Sequence, residues 1–500
     1  MDAMVKMENK KVLKASPEYT QATFTLVTSL VLTIILALNS FDFTTKVIKP
    51  FVFSVFAAYG LVTLIQILIT LKIKKDLLKV GEIKSSTRKL GYLQLLSLFT
   101  GNVITAAFAF NLIKKKKTTE YTFAVYALLT QIFIIGISAL NLFKPYVSDT
   151  FVPAMGILLL IAIFYVVSLF LVAKHVEAHT AKPWMIFIAI PMLLTAVTGN
   201  LFALFLGINL LMKSRSFDVS TIVKWDTIWG KITRNTTAIL GLFFIILMLS
   251  ISVCSNFTFD YTIAVENSYA AILQSPSLQY PLGTDNFGRD LFSRIVFGAR
   301  ISLIVGFLST MIPAVIGGML GAFAGYYGRH TDNVIMRLLD VLYAVPGILL
   351  AIAIIAAFGA NTTNLIIALS VGSIPTYART MRANVLMVSN LEYVDAARAL
   401  GEKDFTIIFK HVVPNSLAPM IVKSTLTIGG AVIATSSLSY LGLGVEPHIP
   451  EWGNILKLGS TYLETNSYLA IYPGLAIILL VLSFNFLGDG LRDALDPKLD

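Results

Sequence analysis

Charge-free apolar runs long enough to cross a bilayer recur from one end of this 500-residue chain to the other. A helix needs about 20 apolar residues to span about 30 Å of hydrocarbon. Runs of that order occupy residues 19–41, 50–71, 90–113, 121–143, 150–173 and 183–212, and then 235–259, 301–328, 341–378, 424–445 and 465–488. No water-facing surface can be built from them, since 56% of the residues are hydrophobic and only 13% are Asp, Glu, Lys or Arg. The chain therefore reads as an all-α, polytopic membrane protein, because helices satisfy their own backbone groups in lipid. Disorder and a disulfide scaffold are excluded, and the single Cys254, at the end of an apolar run, reads as packing. The formal charge of +11 is assigned to cations retained on the cytoplasmic face, not to nucleic-acid binding. A multi-pass protein of the cell membrane (plasma or inner), in contact with lipid and with both termini cytoplasmic, is expected. Lys6, Lys10, Lys11 and Lys14 precede the apolar stretch 22–38 without a small-residue cleavage site, so this segment reads as a first anchor instead of a signal peptide.

The two halves differ in character. Before residue 220 the six hydrophobic segments contain an internal repeat, in which Glu18-Tyr19-Thr20 returns as Glu120-Tyr121-Thr122 and Thr100-Gly101-Asn102 as Thr198-Gly199-Asn200. An Asn-Leu pair follows each Thr-Gly-Asn at equal spacing, at Asn111 and Asn209. Two three-segment units, about 18–117 and 120–215, are predicted within an accessory N-terminal membrane domain, 1–219. Chance similarity among apolar segments is the alternative. Six spans are expected here, although they place Lys114 to Lys117 outside, against the positive-inside bias. If the third segment of each unit instead bends back at Thr-Gly-Asn, those lysines return to the cytoplasm, but the freed backbone groups then need shelter that the sequence does not guarantee.

From residue 220 to 500, six spans are separated by motifs, with 341–378 containing two spans broken at Phe358-Gly359-Ala360-Asn361. Between the fourth and fifth lies a segment too charged for lipid, running from Glu392 through Asp395-Ala396-Ala397 and Gly401 to Pro414. Val394, Ala397 and Leu400 recur at helical spacing, alanines keep one face shallow, Gly401 permits a sharp turn, and Asp404 is a candidate cap for the next helix. A cytoplasmic helix-turn-helix suited to close approach by another protein results, with Asp395 available to a basic group on that partner.

This segment resembles the signature of the membrane permeases of type I ATP-binding-cassette (ABC) importers: an acid, two alanines, a later glycine and then a proline. Asp395 stands where that family usually has glutamate. A second stretch resembles the oligopeptide, dipeptide and nickel permease branch: Gly283-Thr284-Asp285, Gly288-Arg289-Asp290 and Ser293-Arg294, extended by residues 298–303. Tyr280 replaces the histidine that often precedes Pro281 there. Two further stretches, 332–346 and 438–454, are similar to the same branch, so the resemblance covers roughly 225–500. It implies a six-helix importer core in which residues 391–413 are coupling helices seated in a cytoplasmic ATPase. It further implies a homologous second permease, two ATPase subunits that use ATP and Mg, an extracellular substrate-binding protein and a peptide substrate. This chain would bind no cofactor or metal itself, and would supply half of the translocation pathway.

In physical terms, the charges Asp285, Arg289, Asp290, Arg294 and Arg300 can pair among themselves at the outer mouth, or touch substrate. Arg337 and Asp340, three apart where a helix enters the membrane, are expected to pair with each other, and Pro346 can kink the following span. Lys423, Thr425, Thr427, Ser436, Ser437, Ser483 and Asn485 are the polar candidates for the pore, although joining helices is the favoured reading of each. No phosphate-binding glycine loop, metal-spaced cluster or nucleophile elbow stands out, so the chain reads as a transport subunit and not an enzyme. A secondary transporter would need intramembrane acids for ion coupling, and a sensor or scaffold would leave the charged segment without purpose. Peptide is the favoured cargo by analogy, with nickel or another small solute as the alternative.

Overall fold

The computed structural model describes residues 11–13, 16–42, 46–48, 50–115, 117–177, 180–215 and 219–496. Lys6, Lys10, Lys14 and Lys116 lie outside them. The described residues are mainly helical, with one two-stranded ribbon pairing Phe41–Asp42 with Val47–Ile48. Contacts divide the chain into two compact units: Met1–Ile135 with Leu158–Asp226, and Gly136–Ile157 with Thr227–Asp500. The contact boundary therefore departs from the sequence boundary at 219/220, because the tip of one N-terminal helix pair is grouped with the C-terminal half.

In the first unit, Ser16 caps helix α1 (Pro17–Ser40) by accepting from the Tyr19 amide, and Pro17 suits the first helical turn. Helix α2 is Pro50–Val80. Next come the short helices α3 (Ser85–Gln94) and α4 (Val103–Ile113), joined by a 3₁₀ turn over Leu95–Thr100. The same order follows as α5 (Thr119–Ala139), α6 (Phe151–His175), α7 (Ile186–Thr195) and α8 (Leu201–Ser214). Gly101 and Gly199 are both left-handed, at φ 69° and 84°, so each Thr-Gly-Asn reverses the chain. Arg88 Nη1 reaches the Leu112 carbonyl at 3.1 Å, as an antiparallel α3–α4 hairpin requires.

This corrects the expectation of six N-terminal spans. Helix α4 has 11 residues, about 16 Å of rise, which is half a bilayer. The third segment of each repeat is a re-entrant hairpin, leaving four long helices. A buried polar network ties each hairpin to the long helices around it. Asn102 Nδ2 donates to Ser29 Oγ (3.2 Å), Gln94 Nε2 to Gln66 Oε1 (2.7 Å) and Gln66 Nε2 to the Ala22 carbonyl (3.0 Å). In the second repeat Asn200 Nδ2 donates to the Ala127 carbonyl at 3.0 Å. With two hairpins returning to the side they left, Lys11, Lys114, Lys115, Lys117 and Lys174 fall on one side of this unit, removing the conflict with positive-inside placement.

In the second unit the long helices are α10 (Thr236–Thr258), α11 (Leu291–Tyr327), α14 (Thr362–Val388), α16 (Leu417–Tyr440) and α18 (Tyr468–Leu495); the amphipathic α9 (Val219–Arg234) leads into them. The remaining crossing is broken. Helix α12 (Arg329–Tyr343) and α13 (Gly347–Phe358) meet at 78° across Ala344, Val345 and Pro346, so the proline separates two helices instead of kinking one. Gly317, Gly321 and Gly325, one per turn, let α11 lie directly against the backbone of α14 at Ile374, Ala378 and Arg382. Gly359 turns the chain at φ 92° and Asn361 caps α14 through the Asn364 amide.

Candidate functional site

Two surfaces of the second unit gather the motif residues. The first is the charged segment after α14. Helix α15 (Glu392–Ala399) ends in a glycine cap: Gly401, at φ 79°, donates to the Arg398 carbonyl (3.0 Å) and Glu402 to that of Ala397 (3.2 Å). Val394 and Ala397 are buried in a cluster with Tyr377, Met381, Ile407, Ile408 and Met420, which fixes α15 to the helices that cross the membrane. Glu392, Asp395 and Ala396 are exposed on the opposite face. Leu400 does not share the face of Val394 and Ala397, as its spacing suggested; it is 86% exposed, because the helix has ended and the glycine cap turns it outward. Leu391, Tyr393 and Phe405 of the same segment are also exposed.

Asp395 pairs with its own Arg398 at 2.8 Å. Asp404 is not the cap of the following helix; it is the first helical residue after Lys403 and accepts from the Tyr326 hydroxyl at 2.8 Å. The second arm runs through a π turn, Ile407–Val412, to Pro414 in the next short helical turn. His411 lies 2.8 Å from Glu402 and, with Lys410, holds that carboxyl below its ordinary range.

The second surface is the loop before α11. Asp285 accepts from the Phe287 and Arg289 amides (2.8 and 3.0 Å) and from Arg289 Nε (2.8 Å). Arg294, 1% exposed, has Nε 3.7 Å from Asp285 and donates through Nη1 to the Ala264 carbonyl at 2.7 Å. Thr284 bridges to Asp290 and donates to the Ala271 carbonyl. Asp290 caps α11, taking the Ser293 amide at 3.0 Å and its hydroxyl at 2.7 Å. Gly283 and Gly288 are left-handed, at φ 81° and 76°, and a Cβ on Gly288 would overlap the Ser268 carbonyl oxygen. Arg300 stands apart from this cluster, exposed and donating to Asn256 at 3.1 Å.

The third motif joins the second. Glu451 caps α17 (Trp452–Ser460) through the Asn454 amide at 3.0 Å, and burial pushes its carboxyl up. Trp452 Nε1 donates to the Ile295 carbonyl at 2.9 Å, its ring lying where a side chain at Gly298 would stand.

Comparison with known proteins decides the family. Residues 317–500 match the family model described as "Binding-protein-dependent transport system inner membrane component". The glutathione transport system permease protein GsiD of Pectobacterium atrosepticum is 42% identical over 282 residues, 56% of this chain and 94% of its own length. The dipeptide transport system permease protein DppC of Alkalihalophilus pseudofirmus is 41% identical over 280 residues, 56% of this chain and 92% of its own. The chain belongs to this permease family. Among solved structures, the MetNI methionine ABC transporter in inward-facing form aligns with a TM-score of 0.34 at 20% identity, over 41% of this chain and 97% of that one.

The permease is thus a non-enzymatic subunit of an ABC importer, with an added N-terminal membrane region. Its intramembrane pair differs from expectation. Asp340 meets Arg379 at 2.6 Å, while Arg337 is exposed. The guanidinium of Arg379 also lies 4.0 Å from the Tyr343 ring centre, so the neighbouring helix offers a better partner than the local i,i+3 cation. Of the pore candidates, Lys423 ties α16 to α14 through the Thr376 carbonyl (2.6 Å) and Thr380 (2.7 Å), and Ser436 lies 3.4 Å from Glu451. Thr425 bonds its own helix at Ile421 and borders an apolar groove of about 500 Å³ lined by Phe307, Met311, Phe409 and Met420. Asn485 backs onto Gly429. Sequence reading missed Lys144, which is buried against Asp290; burial pushes its pKa down while Asp290 opposes the shift. The one signal was a lysine directly after the apolar run 121–143.

Proposed function

We propose that this permease subunit imports di- or oligopeptides. It provides one half of the pathway beside a homologous, non-identical permease, and one of two cytoplasmic ATPases seats on α15 and the exposed apolar side chains near it. An extracellular binding protein delivers substrate to the outer-mouth loop, and ATP and Mg act only in the partners. Both termini lie in the cytoplasm, with the lysine-rich side inward. The observation that carries the coupling is that one short segment exposes the apolar Leu391, Tyr393, Leu400 and Phe405 together with the small Ala396 and the charged Asp395, side chains suited to a protein interface. Peptide cargo is supported by relatives that carry glutathione and dipeptides.

The substrate is tested by expressing the chain with its partner subunits in a host lacking peptide importers, and measuring uptake of labelled dipeptides, longer peptides, glutathione and nickel ions. Uptake of a peptide, competed by other peptides and lost with the ATPases, is expected. Nickel uptake with no peptide uptake would overturn the substrate assignment.

A further inference from the structure

The turn joining α5 to α6 is bonded to the outer ends of two helices of the transport unit. Residues 257 and 258 end α10, where the last carbonyls of a helix have no intrahelical donor. Asn141 Nδ2 donates to the Thr258 carbonyl at 2.8 Å, and Thr150 Oγ1 to the Phe257 carbonyl at 2.9 Å. Ser138 adds a bond to the Thr258 hydroxyl at 3.1 Å. Beside them, Lys144 Nζ lies 2.7 Å from Asp290 Oδ2 and 2.6 Å from Ser293 Oγ, with the side chains of Lys144 and Asp290 only 2% and 0% exposed. Asp290 is the cap of α11, so one short segment, 138–150, closes the end of one long helix and neutralises the start of the next.

We infer that this turn is an intramolecular clamp on the outer mouth, with Lys144 the positioning residue that holds Asp290 and hence the start of α11. The transport unit therefore extends into the N-terminal region. A chain beginning near residue 219 would lack Lys144 and the bonds that close the end of α10, so deletion of 1–219 is expected to impair transport. The transport readout of this inference rests on the importer reading above; its physical basis does not.

A buried pair contributes little compared with apolar replacement of both partners, but removing one partner strands a charge. The test is a cycle in the full-length protein with its partners: Lys144→Met, Lys144→Arg, Asp290→Asn and the double variant Lys144→Met/Asp290→Asn. Asparagine keeps an oxygen for the amides of Phe292 and Ser293, so the cap survives. Lys144→Met is expected to lower uptake by at least about tenfold, while the double variant and Lys144→Arg return to within about threefold of the parent. The same order should appear in the thermal midpoint of the purified chain, which reads the clamp even without transport. A Lys144→Met protein as stable as the parent, or a double variant no better than Lys144→Met, would overturn the inference.

Discussion

Replacing Gly401 by glutamate is expected to reduce uptake by about two orders of magnitude while the chain still reaches the membrane at normal abundance. No atom lies within 4 Å of a Cβ built on Gly401, so the substitution meets no steric obstacle. The remaining folding cost is that of a left-handed residue at φ 79°, about 1 kcal/mol. What changes is the docking face, which gains a carboxylate between Glu402 and the exposed Leu400 in the chain. Asp395→Lys should act in the same direction, because it places like charge against Arg398 and reverses the sign offered to the partner. Uptake and substrate-stimulated ATP hydrolysis, compared at matched membrane abundance, check both variants. Normal uptake by both would remove α15 from the coupling path.

Gly288→Ala should have the opposite signature, a loss of the folded outer mouth. Its φ of 76° is the same kind of strain, but here the added methyl overlaps the Ser268 backbone and a backbone shift must follow. Strain and overlap together should cost about 3 kcal/mol or more. That shift would also disturb Asp285, whose carboxylate binds the amides on both sides of Gly288. Membrane abundance and thermal unfolding of the purified chain measure the effect. Parental values in both would show that the loop yields more easily than its packing indicates.

The contrast between these two glycines shows what the sequence carried and what it did not. Both belong to readable motifs, and the charged segment at 392–414 was legible because nothing so polar can sit in lipid. That Gly401 faces open space and Gly288 faces a carbonyl follows from packing against Ser268, 20 residues away. The repeat was legible too, but apolar periodicity is the same for a span and for a re-entrant hairpin. The hairpin is held by bonds from its own Gln94 and Asn102 to Gln66 and Ser29, brought together from separate segments. Helical spacing paired Arg337 with Asp340 by a local rule, and Arg379, 39 residues away, outcompeted it. Lys144 reaches Asp290 across 146 positions and lies before the family motifs, so no pattern marked it.

The central claim is that this chain transports only as half of a pathway driven by two ATPases, one of them docked at α15. Reconstitution into liposomes with the second permease, the ATPases and the binding protein tests it directly, by measuring entry of labelled peptide with each component omitted in turn. Entry that requires ATP hydrolysis, both permeases and an intact Gly401 is the predicted result. Peptide entry by this chain alone, or with ATPases but no second permease, would contradict it.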